Sequence, residues 1–272
     1  MRTHTLGEGQ PEVAVVGGVH GDEPCGEAAI ERLVAADPPV TRAVKLVVAN
    51  EAATERGVRF LDADLNRTFD GEEGDGHEHR LSRALAAEIK GMTALSLHST
   101  QSYADPFAIV NGLDGAAGEV VTRLPVDAAV DVANDGDGRP FEIEATPLVE
   151  VECGLQGSPE AADNAERIVH AFLGATGVLP PSPEPQPVPV YQMGNPVTKP
   201  PAERYEVYVE NFRRVERGTA FASADEQQFV ADDPFYPVLF SAEGYDDIFG
   251  YVGERAGELR PADDGVARER AE

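Results

Sequence analysis

The sequence predicts an α/β protein built on a largely parallel, twisted sheet. From Glu12 to about Val178, short β-rich runs alternate with helical stretches, the pattern of βαβ units. The first run, Val13–Gly18 (VAVVGG), is apolar throughout and ends in glycines, as a strand buried on both faces does. A proline-dense stretch then closes this half of the chain and separates it from a second, shorter β-rich part.

Each element follows from local pattern. Pro24–Val34 reads as a helix, with Ile30, Leu33 and Val34 at helical spacing and Pro24 suited to the first turn. Val44–Ala49 (VKLVVA) is the next strand, and Arg80–Ile89 a helix with Leu81, Leu85 and Ile89 along one face. Ala94–Leu97, Phe107–Val110 and Leu148–Val151 read as strands, and Pro159–Leu173 as a helix whose apolar face holds Ile168, Phe172 and Leu173. The expected organisation is a catalytic domain over 1–178, a Pro-rich linker over 179–201 and a small β-rich domain over 202–253. The last of these rests on the β-like runs Tyr205–Val209, Gln228–Val230 and Pro237–Phe240. Residues 254–272 are charged and poor in apolar side chains, which predicts a disordered tail.

Composition narrows the function classes. Of 272 residues, 42% are hydrophobic and 26% charged, enough apolar material for a sizeable core. No run of about 18 apolar residues appears, and Met1–Gln10 has no apolar export core, so a soluble cytoplasmic protein without a membrane partner is expected. Forty-nine acidic residues stand against 22 basic ones, a net charge of −27 spread along the whole chain. Lysine occurs only at positions 45, 90 and 199, leaving the other basic residues as arginine. Such self-repulsion is tolerable where salt shortens the Debye length to about 3 Å at 1 M, so a halophilic, high-salt cytoplasm is expected. The same charge excludes nucleic acid as a partner. Cys25 and Cys153 are expected as two reduced thiols.

The chemistry begins at the end of the first strand, Gly17-Gly18-Val19-His20-Gly21-Asp22-Glu23-Pro24. Sites in open α/β sheets form at the carboxyl ends of strands, and this turn lies at such an end. His20 and Glu23, three residues apart, can converge on one ion; imidazole plus carboxylate suits zinc. His98, in Leu95-Ser96-Leu97-His98-Ser99-Thr100, ends another apolar strand and has the same address. His4, His77, His79 and His170 lack that setting.

A further run, Arg59-Phe60-Leu61-Asp62-Ala63-Asp64-Leu65-Asn66-Arg67, makes the resemblance specific. An H-x-x-E, a downstream D-L-N-R and a strand-borne histidine, in that order, resemble the succinylglutamate desuccinylase/aspartoacylase family, a branch of the zinc carboxypeptidase superfamily. Glu152, in Val149-Glu150-Val151-Glu152-Cys153-Gly154, matches that family's catalytic glutamate, and Tyr236–Phe240 followed by Tyr245 looks like its substrate-contacting segment. The resemblance implies a carboxypeptidase-like α/β/α sandwich with a mostly parallel sheet, plus a small β-rich C-terminal domain. It implies one zinc ion on His20, Glu23 and His98, with Glu152 as general base and then acid. Arg59 would stabilise the oxyanion, Asn66 and Arg67 would hold a substrate carboxylate, and Tyr245 would assist.

Glu150 and Glu152, two apart on a strand, point to the same face; Glu152, nearer the carboxyl edge, is expected at the reacting water and Glu150 in a structural role. Two departures stand out. Ser96 occupies a position where the family often carries an acid, so support for the histidines has to come from elsewhere, with Asp62 and Asp64 as candidates. Arg139 is out of register with the arginine that gives aspartoacylase its second carboxylate contact, and Glu142 and Glu144 follow it, so N-acetylaspartate specificity does not follow from the resemblance. The expected activity is hydrolysis of a small carboxylated N-acyl amino acid. A carboxypeptidase-like metallopeptidase and a non-catalytic metal-binding protein are the alternatives.

Overall fold

The computed structural model describes residues 1–69, 74–113, 115–133, 143–181, 184–262 and 265–269. Along the chain come β1 (Arg2–Leu6), β2 (Val13–Gly17), α1 (Cys25–Ala36), β3 (Val44–Val48), the short α2 (Glu51–Thr54), a 3-10 turn at Leu65–Arg67 and α3 (His77–Ile89). Next are β4 (Thr93–Thr100), β5 (Phe107–Val110), α4 (Ala116–Val121), β6 (Ala129–Asp131), β7 (Leu148–Leu155) and α5 (Pro159–Ala175). The second part holds β8 (Val188–Thr198), β9 (Tyr205–Val207), β10 (Ala220–Ala224), β11 (Gln227–Val230), β12 (Tyr236–Val238), β13 (Ile248–Ala262) and β14 (Gly265–Glu269).

An eleven-stranded sheet runs β1-β3-β2-β4-β7-β5-β6-β8-β13-β12, with β14 on β13, and a separate three-stranded antiparallel sheet runs β11-β10-β9. The centre, β3-β2-β4-β7, is parallel, while β5 runs antiparallel to β7. Alternation along β2 divides the core. Val13 and Val15 join Ile30 and Leu33 of α1 and Ile168 and Phe172 of α5 on one face, whereas Ala14 and Val16 join Leu81, Leu85 and Ile89 of α3 on the other. That is the expected α/β/α layering. Beyond β7, Phe107, Tyr191, Met193 and Phe212 form a third apolar cluster, and Phe221, Phe235, Phe240 and Phe249 fill the space under the small sheet.

Several bounds differ from the sequence reading. Within the stretch expected as a linker, residues 188–198 form β8, which pairs with β13 and, over Val190–Gln192, with β6. Pro189 and Pro196 fall outside the part flanked by β6, where a missing N–H is tolerated. The expected disordered tail is also corrected: Glu254–Ala262 continues β13, with Leu259 buried while Glu258 and Arg260 pair at the surface. Helix α3 starts at His77 instead of Arg80, and β1, polar and buried only at Leu6, was hidden by its position as an antiparallel edge strand. Among the described residues, no helix is long and apolar enough to cross a membrane.

Candidate active site

Three neighbouring strand ends build the site. The turn after β2 is shaped by glycine: Gly18 has φ +63°, and a Cβ on Gly21 would lie 2.2 Å from the Ala53 backbone. The Gly21 N–H donates to the Arg59 carbonyl at 3.1 Å, joining this turn to the loop that carries Arg59–Arg67. His20 and Glu23 leave this turn, and His98 leaves β4; all three are buried.

One ligand-type atom from each of His20, Glu23 and His98 lies within 4.8 Å of the others. Glu23 is the hub: its Oε1 meets His20 Nδ1 at 2.8 Å, and its Oε2 meets His98 Nδ1 at 3.1 Å. The Ser99 N–H also donates to Oε2, at 3.1 Å, and Arg59 donates to Oε1, at 3.1 Å. On the far side of His20, Nε2 contacts Asp64 Oδ1 at 3.2 Å, while Asp64 Oδ2 accepts from Arg59 at 3.0 Å. Asp64 also caps the Leu65–Arg67 turn through the Asn66 N–H.

The electrostatics call for a cation among these groups. Burial alone would raise the Glu23 carboxyl, but the adjacent His20 and His98 hold it well below the carboxylate range. Burial would likewise lower the histidines, yet the hydrogen bond to Glu23 and the charge of Glu150 lift His98 to about 10, and Glu23 and Asp64 raise His20. The buried carboxylates thus favour positive charge at both imidazoles. Burial, and then the charge of Glu23, lifts Glu152 to about 7, and its Oε2 is buried without a hydrogen-bond partner.

All eight residues singled out in the sequence line one pocket: His20, Glu23, Arg59, Asn66, Arg67, His98, Glu152 and Tyr245. Tyr245 stands edge-on to Tyr251, ring centroids 6.2 Å apart. Of the two acids offered as support, Asp64 reaches His20, whereas Asp62 is turned away and accepts from the His77 N–H at 2.7 Å. Glu150, read as structural, also lines the pocket. Arg139 and Glu142 lie outside the described residues; Glu144 pairs at the surface with Lys90. Sequence reasoning missed Ser99, Met193 and Tyr251, while Leu239 falls within the Tyr236–Phe240 segment that it flagged. Ser99 was signalled by its place beside His98, but Met193 and Tyr251 sit on strands that the pattern did not reveal.

Comparison with known proteins bears on the first part of the chain and on its fold. The model described as the succinylglutamate desuccinylase/aspartoacylase catalytic domain matches residues 9–105, a span that holds His20, Glu23, Arg59, Asn66, Arg67 and His98. A succinylglutamate desuccinylase of Pseudomonas aeruginosa is 38% identical over 119 residues, 37% of this chain and 34% of that protein. An N-acyl-aromatic-L-amino acid amidohydrolase (carboxylate-forming) of Xenopus tropicalis is 33% identical over 84 residues, 27% of each. The matched segments thus span about a third or less of these curated relatives. The crystal structure of murine aminoacylase 3 shares the fold with a TM-score of 0.72 at 20% identity, covering 96% of this chain and 100% of that one. Residues 9–105 thus resemble the succinylglutamate desuccinylase/aspartoacylase catalytic domain, and the chain as a whole shares the fold of murine aminoacylase 3.

Proposed function

We propose that this chain is a zinc-dependent amidohydrolase that cleaves the amide bond of a small carboxylated N-acyl amino acid. The observation that carries the reading is the meeting of three buried ligand atoms within 4.8 Å beside Glu152, a carboxylate with one unpartnered oxygen. Two imidazoles and one carboxylate are the donor set of a catalytic zinc site that leaves a position open. The names of the relatives, a desuccinylase and an N-acyl amino acid amidohydrolase, support the same reaction class.

A bound zinc ion supplies Lewis acidity and brings the pKa of a water to about 7. The remaining work falls to the protein. Glu152 takes a proton from the attacking water and returns it to the departing amine nitrogen. Arg59, held by Glu23 and Asp64, presents its guanidinium where negative charge develops on the scissile carbonyl oxygen. Arg67, through its guanidinium, and Asn66, through its side-chain N–H groups, hold the substrate carboxylate, and Tyr245 lines the same pocket. From the net charge of −27, we also infer work in a high-salt cytoplasm.

The test is Glu152→Gln assayed with a panel of N-acetyl and N-succinyl amino acids in molar KCl with added zinc. Zinc content should persist while turnover falls by about 10²–10⁴. Retention of full zinc occupancy and rate by His20→Ala would show the site assignment to be wrong.

A further inference from the structure

His98 has two ring nitrogens with different surroundings. Its Nδ1 faces Glu23 at 3.1 Å, within the ligand cluster, so its Nε2 points away from the ion's place toward β7. If Nδ1 is the ligand atom, the ring proton sits on Nε2 and needs an acceptor. Two groups lie there. Ser96 Oγ, on the same strand, is 3.0 Å from Nε2, and Glu150 Oε1, on the neighbouring strand, is 3.9 Å away. The parallel register of β4 and β7 sets Ser96 beside Glu150 and His98 beside Glu152, so the two glutamates serve different places. Glu152 is only part-buried, whereas Glu150 is 5% exposed and its Oε1 has no hydrogen-bond partner. A buried carboxylate oxygen left without a partner is costly and calls for an explanation.

We propose that Glu150 is the positioning residue of His98: its carboxylate, delivered across the sheet from β7 to 3.9 Å from Nε2, closes to hydrogen-bond reach of the Nε2 proton when Nδ1 holds the metal, beside the Ser96 Oγ already at 3.0 Å, and so aims Nδ1 at the metal. This rests on the reading of His20, Glu23 and His98 as zinc ligands. Glu150 acts through the ring, fixing the tautomer and increasing the basicity of the ligand nitrogen.

The experiment is zinc affinity by chelator competition at pH 7.5 in molar KCl, on wild type, Glu150→Gln, Glu150→Leu and the double variant Ser96→Asp/Glu150→Leu. Glu150→Leu should bind zinc ~10–100-fold more weakly, with Glu150→Gln, which keeps a neutral acceptor, in between. The double variant should recover most of the loss, because residue 96 already contacts Nε2. In zinc-loaded protein the proton NMR resonance of His98 Nε2–H should move upfield in Glu150→Gln, a response that mere packing does not give. Should the leucine variant fail to fold, the isosteric Gln variant decides by the same affinity and resonance. Wild type that binds zinc alongside variants that bind it equally tightly overturns this proposal alone. Wild type that binds no zinc overturns the hydrolase reading and this proposal with it.

Discussion

Glu78 shows how one side chain can organise a loop. Fully buried on α3, it accepts the N–H groups of Leu61, Asp62 and Ala63 at 2.8, 3.0 and 3.2 Å, and Asn50 Nδ2 at 3.0 Å. The loop from Arg59 to Arg67 is therefore fixed by a carboxylate that never enters the pocket. Burial works to raise Glu78, but these donors hold it below its ordinary value of 4.5. A depressed pKa stabilises the fold above the unfolded value and loses that contribution as pH falls through and below it. Glu78→Gln replaces an acceptor oxygen by a donor and should destabilise the protein by about 1–3 kcal/mol at pH 7, measured by urea unfolding, with the gap narrowing toward pH 4. Glu152 has the opposite sign. Its pKa of about 7, above the ordinary 4.5, means that the metal-free fold loses stability as pH rises between those values. Zinc-free Glu152→Gln should thus melt higher than wild type at pH 8 and not at pH 4 by calorimetry.

At the scale of elements, Lys199 ties the two parts of the pocket wall together. Just past the end of β8, its Nζ donates to the Ala242 carbonyl at 2.8 Å and to that of Tyr245, and lies 5.0 Å from the centre of the Tyr205 ring. Lys199→Met keeps the apolar stem and removes these donors, so KM should rise several-fold while zinc affinity stays put, measured by steady-state kinetics and chelator competition. Strands were legible where they are buried on both faces, as β2 and β5 are, because their residues are apolar without interruption, and β3 departs from this only at Lys45. β8 and β13 were not. Prolines interrupt the first, and the second carries Gly250, where a Cβ would lie 2.7 Å from the Phe240 backbone, and Gly253, where it would meet the Val238 side chain at 2.8 Å. Close approach of β12 and the residues after it demands glycine there, and glycine reads as loop. The candidate ligands were legible from strand ends and spacing. The neighbourhood of Glu150 was not, because it depends on the register between β4 and β7.

For the whole molecule, charge is the dominant variable. A net charge of −27 raises the free energy of the compact state, and salt screens that repulsion. The melting temperature should rise as KCl goes from millimolar to molar, by ~2–4 °C for each ~1 kcal/mol of repulsion relieved. Thiol reagents should leave the native protein unmodified, since Cys25 and Cys153 are both free and buried. The pocket is also divided along the chain. His20, Glu23, Arg59, His98 and Glu152 come before residue 156, whereas Met193, Leu239, Tyr245 and Tyr251 come after residue 188. The segment shared with relatives, 9–105, lies wholly in the first group. A library randomised at Met193, Leu239 and Tyr251 is accordingly the route to new substrate preference, since these side chains line the pocket without belonging to the candidate ligand cluster.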